Sequence, residues 1–177
     1  APPMGEPDGD PALLANTNRE HGTPDLCSLP ELTHESITAN LKARFDAELV
    51  YTYAGNVVVS VNPFCAVNAV GKRIREGYTV EPARPQSDLP PHVYYLVREA
   101  YDAGRRERKN KKHYSQSIII TGESGAGKTE AMKICLRLFG ELATAKTAKD
   151  VADGDVDVAE KLMRTNPIME PIGNAKT

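Results

Sequence analysis

The chain has 177 residues, 40% hydrophobic and 26% charged, which suits one folded domain or part of one. Its formal charge of −2 argues against a general nucleic-acid or membrane-surface binder, although local patches remain open to either. The cysteines, Cys27, Cys65 and Cys135, have no CxxC or Cys/His spacing; this argues against a disulfide framework or zinc site and suits a reducing cytosol.

No run approaches the ~20 apolar residues of a membrane span. The Pro/Gly-rich start lacks a signal-peptide pattern. The missing initiator Met and the ending at Thr177 lead us to expect a piece of a longer protein. Residues 1–24 are rich in Pro, Gly, Asp and Asn and are expected to be a flexible lead-in.

Pro30 suits a helix start. A helix is predicted to about residue 48, with Leu32, Ser36, Ala39 and Ala43, and Ile37, Leu41 and Phe45, marking its inner side. Residues 51–53 and 57–61, split by Ala54-Gly-Asn56, predict strand, turn and strand, the second strand well buried. Asn62-Pro63 ends that strand, because proline cannot donate to the ladder. Residues 64–90 read as mostly irregular. A helix is predicted from Pro91 to about Ala103, with Val93, Leu96, Val97, Ala100 and Tyr101 on one side. Residues 105–112 carry six basic side chains in eight; they read as a solvated loop, with a phosphate or partner contact as the alternative.

Residues 117–121, Ser-Ile-Ile-Ile-Thr, have the β-branched apolar character of a buried parallel strand. A helix is predicted after the next loop, to about Leu142, with Met132, Cys135, Leu136, Phe139 and Leu142 as its apolar face. Residues 144–157 read as an exposed loop, and a last helix is predicted over about 156–165, ending at Asn166-Pro167.

The loop itself matches G-x-x-x-x-G-K-[ST]: Gly122, Glu123, Ser124, Gly125, Ala126, Gly127, Lys128 and Thr129. A random chain of this length meets the pattern in roughly 1 case in 150. The glycines let the backbone approach a phosphate, and successive N–H groups form an anion nest at the positive end of the following helix. Lys128 supplies a charge for the β- and γ-phosphates, and Thr129 offers its hydroxyl to Mg²⁺. Glu123 is expected to contribute backbone only, its side chain pointing away from the phosphates. Hydrolysis also needs a water-positioning residue, a second Mg²⁺-linked group and a counter-charge. The sequence shows no apolar strand ending in Asp downstream, so no complete catalytic set is expected here.

The wording Gly-Glu-Ser-Gly-Ala-Gly-Lys-Thr-Glu over 122–130 resembles the myosin motor head. So do Asp25-Leu26, Leu29 and the helix to Arg44-Phe45, then Tyr51-Thr-Tyr53 through Val61-Asn-Pro-Phe64. Pro90-Pro-His92, Gln116-Ser-Ile-Ile-Ile120, Asn166-Pro-Ile-Met-Glu170 and Gly173-Asn-Ala-Lys-Thr177 extend the likeness over 25–177. The resemblance implies an α/β fold, a P-loop NTPase-type core with a central, mostly parallel sheet flanked by helices, incomplete here. It implies an N-terminal part of a motor domain, ending just before switch I. It places Asn62, Pro63 and Phe64 at the purine rim, with an ordinary strand-ending turn as the alternative. Val70 stands where the family often has tyrosine, and Pro171 and Ile172 stand where Ala and Phe are common.

The implied function is the ATP-binding part of an actin-based motor that couples ATP hydrolysis to movement along actin filaments. ATP and Mg²⁺ are the implied cofactors, and actin filaments the partner through parts missing here. A full-length protein of this kind would be a myosin-type ATPase of the cytoplasmic actin cytoskeleton, open to light chains or calmodulin. These residues alone are expected to be inactive. Alternatives are a non-motor P-loop nucleotide-binding protein, or a myosin-like tethering protein that binds nucleotide without moving.

Overall fold

The computed structural model describes residues 19–66, 71–80, 83–109 and 115–147. Most of the lead-in, Val70, residues 110–112 of the basic run and everything expected beyond 147 lie outside the described residues.

Helix α1, His34–Asp46, starts at a reciprocal cap. The Ser36 N–H donates to Thr33 Oγ1 and the Thr33 N–H donates to Ser36 Oγ, each at 3.1 Å. The helix therefore begins beyond Pro30, where a side chain can satisfy an orphan N–H. Its inner side is also not the expected one. Asn40 and Arg44 are buried, while Leu32 and Phe45 are exposed. Asn40 Oδ1 accepts from the Thr23 N–H at 2.7 Å, and its Nδ2 donates to the Thr23 carbonyl at 3.0 Å. Arg44 Nε donates to Thr52 Oγ1 and Nη2 to the Tyr51 carbonyl, both at 2.9 Å. Burial pulls the Arg44 pKa down to about 10.

Strands β1, Tyr51–Ala54, and β2, Val57–Ser60, form an antiparallel hairpin with Tyr51 opposite Ser60 and Ala54 opposite Val57. Gly55, at φ +60°, supplies the left-handed residue that a two-residue hairpin turn requires. Tyr51, Thr52 and Tyr53 are buried. β2 is not well buried as expected: Val57 is 60% exposed. The core packs against β1, and of β2 only Val58 is packed against it, which leaves β2 as the outer strand.

Residues expected to be irregular contain helix α2, Lys72–Thr79. Its buried Ile74 and Tyr78, four apart, share one face. Helix α3 is Val93–Lys109 and helix α4 is Lys128–Thr147. α3 and α4 pack together, and α2 rests against both. The core they enclose includes Val50, Tyr51, Tyr94, Val97 and Leu138. Burying Leu138 alone contributes about 1.5–3 kcal/mol.

Both Tyr53 and Tyr78 donate their hydroxyls to the Pro90 carbonyl. Tyr101 Oη donates to the Leu142 carbonyl at 2.9 Å, fixing α4 along α3. Arg98 Nη1 donates to the Tyr78 and Val80 carbonyls at the end of α2, and Arg75 pairs with Glu141 at 2.7 Å.

Both long helices outrun their predicted ends. α3 takes in residues 105–109 of the basic run, so that part is helix rather than loop; Arg, Glu and Lys are good helix formers. The Arg105 guanidinium lies 5.6 Å from the Tyr101 ring centroid. α4 likewise takes in 144–147, because Ala143, Ala145 and Lys146 favour helix.

The predicted parallel strand at 117–121 is not formed, and among the described residues the one sheet is β1–β2. A parallel strand needs a neighbour to satisfy its ladder, and this run has none there. Ile119 is 86% exposed. The apolar face of α4 is correspondingly split. Cys135, Leu138 and Leu142 enter the core, whereas Met132, Leu136 and Phe139 line an open cavity of about 340 Å³ with Ile118 and Ile120.

Cys27 and Cys65 are exposed and Cys135 is buried. Burial raises the Cys135 thiol from 9.0 to about 11. Below pH 9 the folded thiol is protonated; the stability this confers is lost as pH rises through the folded value. At pH 8, iodoacetamide should label Cys27 and Cys65 readily. The lower thiolate fraction alone should slow Cys135 roughly 100-fold. Mass spectrometry of the digested protein checks this, and equal labelling of all three would contradict the burial.

Candidate functional site

The loop 122–127 runs directly into α4, which begins at Lys128. Gly125 and Gly127 lie in the left-handed region, at φ +80° and +90°, on either side of Ala126. Such alternation turns successive N–H groups to one side and makes a concave anion seat. The first turn of α4 adds its positive end. The Ala131 N–H is already used by the Gly127 carbonyl at 2.9 Å, and the Ala126 N–H by the Glu123 carbonyl at 3.2 Å.

Lys128 folds back over the loop. Its Nζ donates to the Gly122 carbonyl at 2.9 Å and the Glu123 carbonyl at 2.7 Å. Both acceptors are neutral, so these two bonds do not neutralise the ammonium charge. Glu123 is exposed, and its backbone carbonyl makes these contacts. Ser124 is exposed too, and Thr129 sits partly buried in the first turn of α4.

Asn62 and Pro63 follow β2 and reach the same place. With Ala126 and Gly127 they line an open cleft of about 200 Å³, together with Glu130 and Ala131. Phe64, the third residue expected at the purine rim, is 83% exposed and lies outside that lining. Its φ of +53° is left-handed, a strain of about 1–2 kcal/mol for a residue with a Cβ. Its N–H donates to Asn62 Oδ1 at 3.0 Å, which offsets part of that cost.

Sequence reasoning missed Glu130, Ala131 and Ile134 as lining residues of the cleft. Their signal was present: they follow Gly127 at the three- and four-residue spacing of one helix face. It also missed the bond from Asn62 Nδ2 to the Gly125 carbonyl, 2.8 Å across 63 residues of chain. Nothing in the sequence signals that contact.

Mg²⁺ prefers an octahedral set of oxygens and keeps several waters. Among the described residues no group of three His, Cys, Asp or Glu could hold an ion alone. Thr129, partly buried in the first turn of α4, is the residue of the loop motif whose hydroxyl could meet a Mg²⁺ carried in on phosphate oxygens.

The sequence model of the myosin head (motor domain) matches residues 23–177, spanning both the loop and Asn62. The chain belongs to the myosin head family. Unconventional myosin-Va of Gallus gallus is 37% identical over 177 residues, covering 99% of this chain and 8% of that protein. Myosin-1 of Neurospora crassa is 37% identical over 162 residues, covering 90% of this chain and 12% of that protein. The myosin IB heavy chain of Dictyostelium discoideum is 37% identical over 158 residues, 89% of this chain and 13% of that protein. The chain thus spans only a small part of the length of these myosins.

Among the described residues, a side chain at Gly125 would meet no atom within 4 Å, so backbone strain is what opposes it there. Gly125→Val in the full-length protein should weaken pyrophosphate binding about tenfold, equivalent to ~1.4 kcal/mol of left-handed strain. Gly125→Asn, which tolerates that region, should lose less. Calorimetric titration reads both; equal affinities for all three proteins would show that the loop does not need this backbone.

Proposed function

We propose that this chain is the ATP-binding part of an actin-based motor. The observation that carries the reading is Lys128 at the start of α4, held by the Gly122 and Glu123 carbonyls over the left-handed glycine loop. The residues that would hold the triphosphate are the backbone of 122–127 and Lys128, with Thr129 toward Mg²⁺. Bound Mg²⁺ supplies charge neutralisation on the phosphate oxygens. Asn62 and Pro63 line the cleft beside the loop and on this reading would face the purine, while Phe64 lies outside that lining.

Residues 25–177 form the N-terminal part of the motor domain on this reading, and 1–24 lead into it. The finer fold is a P-loop NTPase-type core whose central sheet is mostly parallel. The exposed Ile119 and the apolar cavity beside Phe139 support this, because they present the face that such a sheet would cover. The full-length protein would act as a myosin-type ATPase on actin filaments in the cytoplasm. Family membership supports that reading over a non-motor nucleotide switch or a tether. Among the described residues no helix is long and apolar enough to cross a membrane.

Lys128→Ala in the full-length protein should abolish ATP binding. A fluorescent ATP analogue measures it. Unchanged affinity would overturn the assignment of Lys128 to the phosphates.

A further inference from the structure

Resting on the phosphate-loop reading, we infer that Asn62 is a positioning residue for the loop: its amide bolts the end of β2 to the Gly125 carbonyl and so sets the loop to receive phosphate. Its Nδ2 donates to that carbonyl at 2.8 Å, and its Oδ1 accepts the Phe64 N–H at 3.0 Å. One end meets an acceptor and the other a donor, so only one orientation of the amide satisfies both.

The Gly125 carbonyl is the group that must be controlled. A carbonyl oxygen facing an anion repels it, whereas an N–H attracts it. Asn62 draws this oxygen to the β2 side, at the residue where the backbone is left-handed. Gly127 packs close by: a Cβ there would lie 3.5 Å from Asn62 Cγ and 3.6 Å from Nδ2. Asn62 thus lies against both Gly125 and Gly127, two of the loop's positive-φ glycines. The strand end supporting it is firm, because the Val61 N–H continues the β1–β2 pairing to the Val50 carbonyl at 2.9 Å. The inference gives Asn62 a role toward the phosphates that does not depend on any base.

The test uses the full-length protein with Mg-pyrophosphate, which has no base, and Mg-ATP. Asn62→Ala removes the donor, while Asn62→Asp keeps the shape and sets a carboxylate oxygen against the Gly125 carbonyl. The expected result is a loss of about three- to tenfold for Asn62→Ala, equal for both ligands, and a larger loss for Asn62→Asp. The ligand-free melting midpoint, measured in parallel, should remain well above the assay temperature, so that the loss is read on folded protein, and Asn62→Ala carries the test should Asn62→Asp not fold. Unchanged pyrophosphate binding with weakened ATP binding overturns the inference and makes Asn62 a base contact only. A wild-type protein that binds neither ligand overturns the phosphate reading itself.

Discussion

The Pro90 carbonyl collects two buried hydroxyls, those of Tyr53 from β1 and Tyr78 from α2. A buried hydroxyl left without a partner costs about 1–3 kcal/mol. These two therefore fix the hairpin and α2 against the residues that start α3. Burial drives the Tyr53 and Tyr78 phenols far above their ordinary pKa, which keeps both as neutral donors. Tyr101 repeats the device at the Leu142 carbonyl and sets α4 along α3. The position of the glycine loop is inherited from that packing, since α4 begins where the loop ends.

Beside this packing the loop is solvent-exposed, and among the described residues few contacts hold it. Lys128 closes it from the helix side through two carbonyls, and Asn62 closes it from the strand side through a third. Left-handed glycines cost chain entropy on ordering, so the loop needs such ties to keep one shape. Pre-formed donors lose less on binding than donors that must be ordered by the ligand. The same logic explains the strained Phe64, whose N–H is what holds the Asn62 amide in register.

Much of this was legible in the sequence. The hairpin followed from Gly55-Asn56 between β-rich runs, and the start of α4 from the glycine-rich motif. α2 was not legible, because Gly77 and its polar residues hide a two-residue buried stripe of Ile74 and Tyr78. The inner side of α1 was misread because periodicity counts Asn40 and Arg44 as outward-facing. Their burial depends on acceptors and donors at Thr23, Tyr51 and Thr52 that no local pattern announces. The run at 117–121 was read as a strand from its β-branched residues, but pairing is a property of neighbours. Of the site, the phosphate loop was plain, while the bond from Asn62 to Gly125 depends on tertiary structure alone.

On the proposed reading, the backbone of 122–129 receives the phosphates of ATP. Hydrogen–deuterium exchange of the full-length protein, with and without Mg-ATP, tests it most directly in peptides covering that loop. The account predicts that amide exchange over 123–129 slows when nucleotide binds. Saturating nucleotide with no protection there, and protection elsewhere, would contradict it.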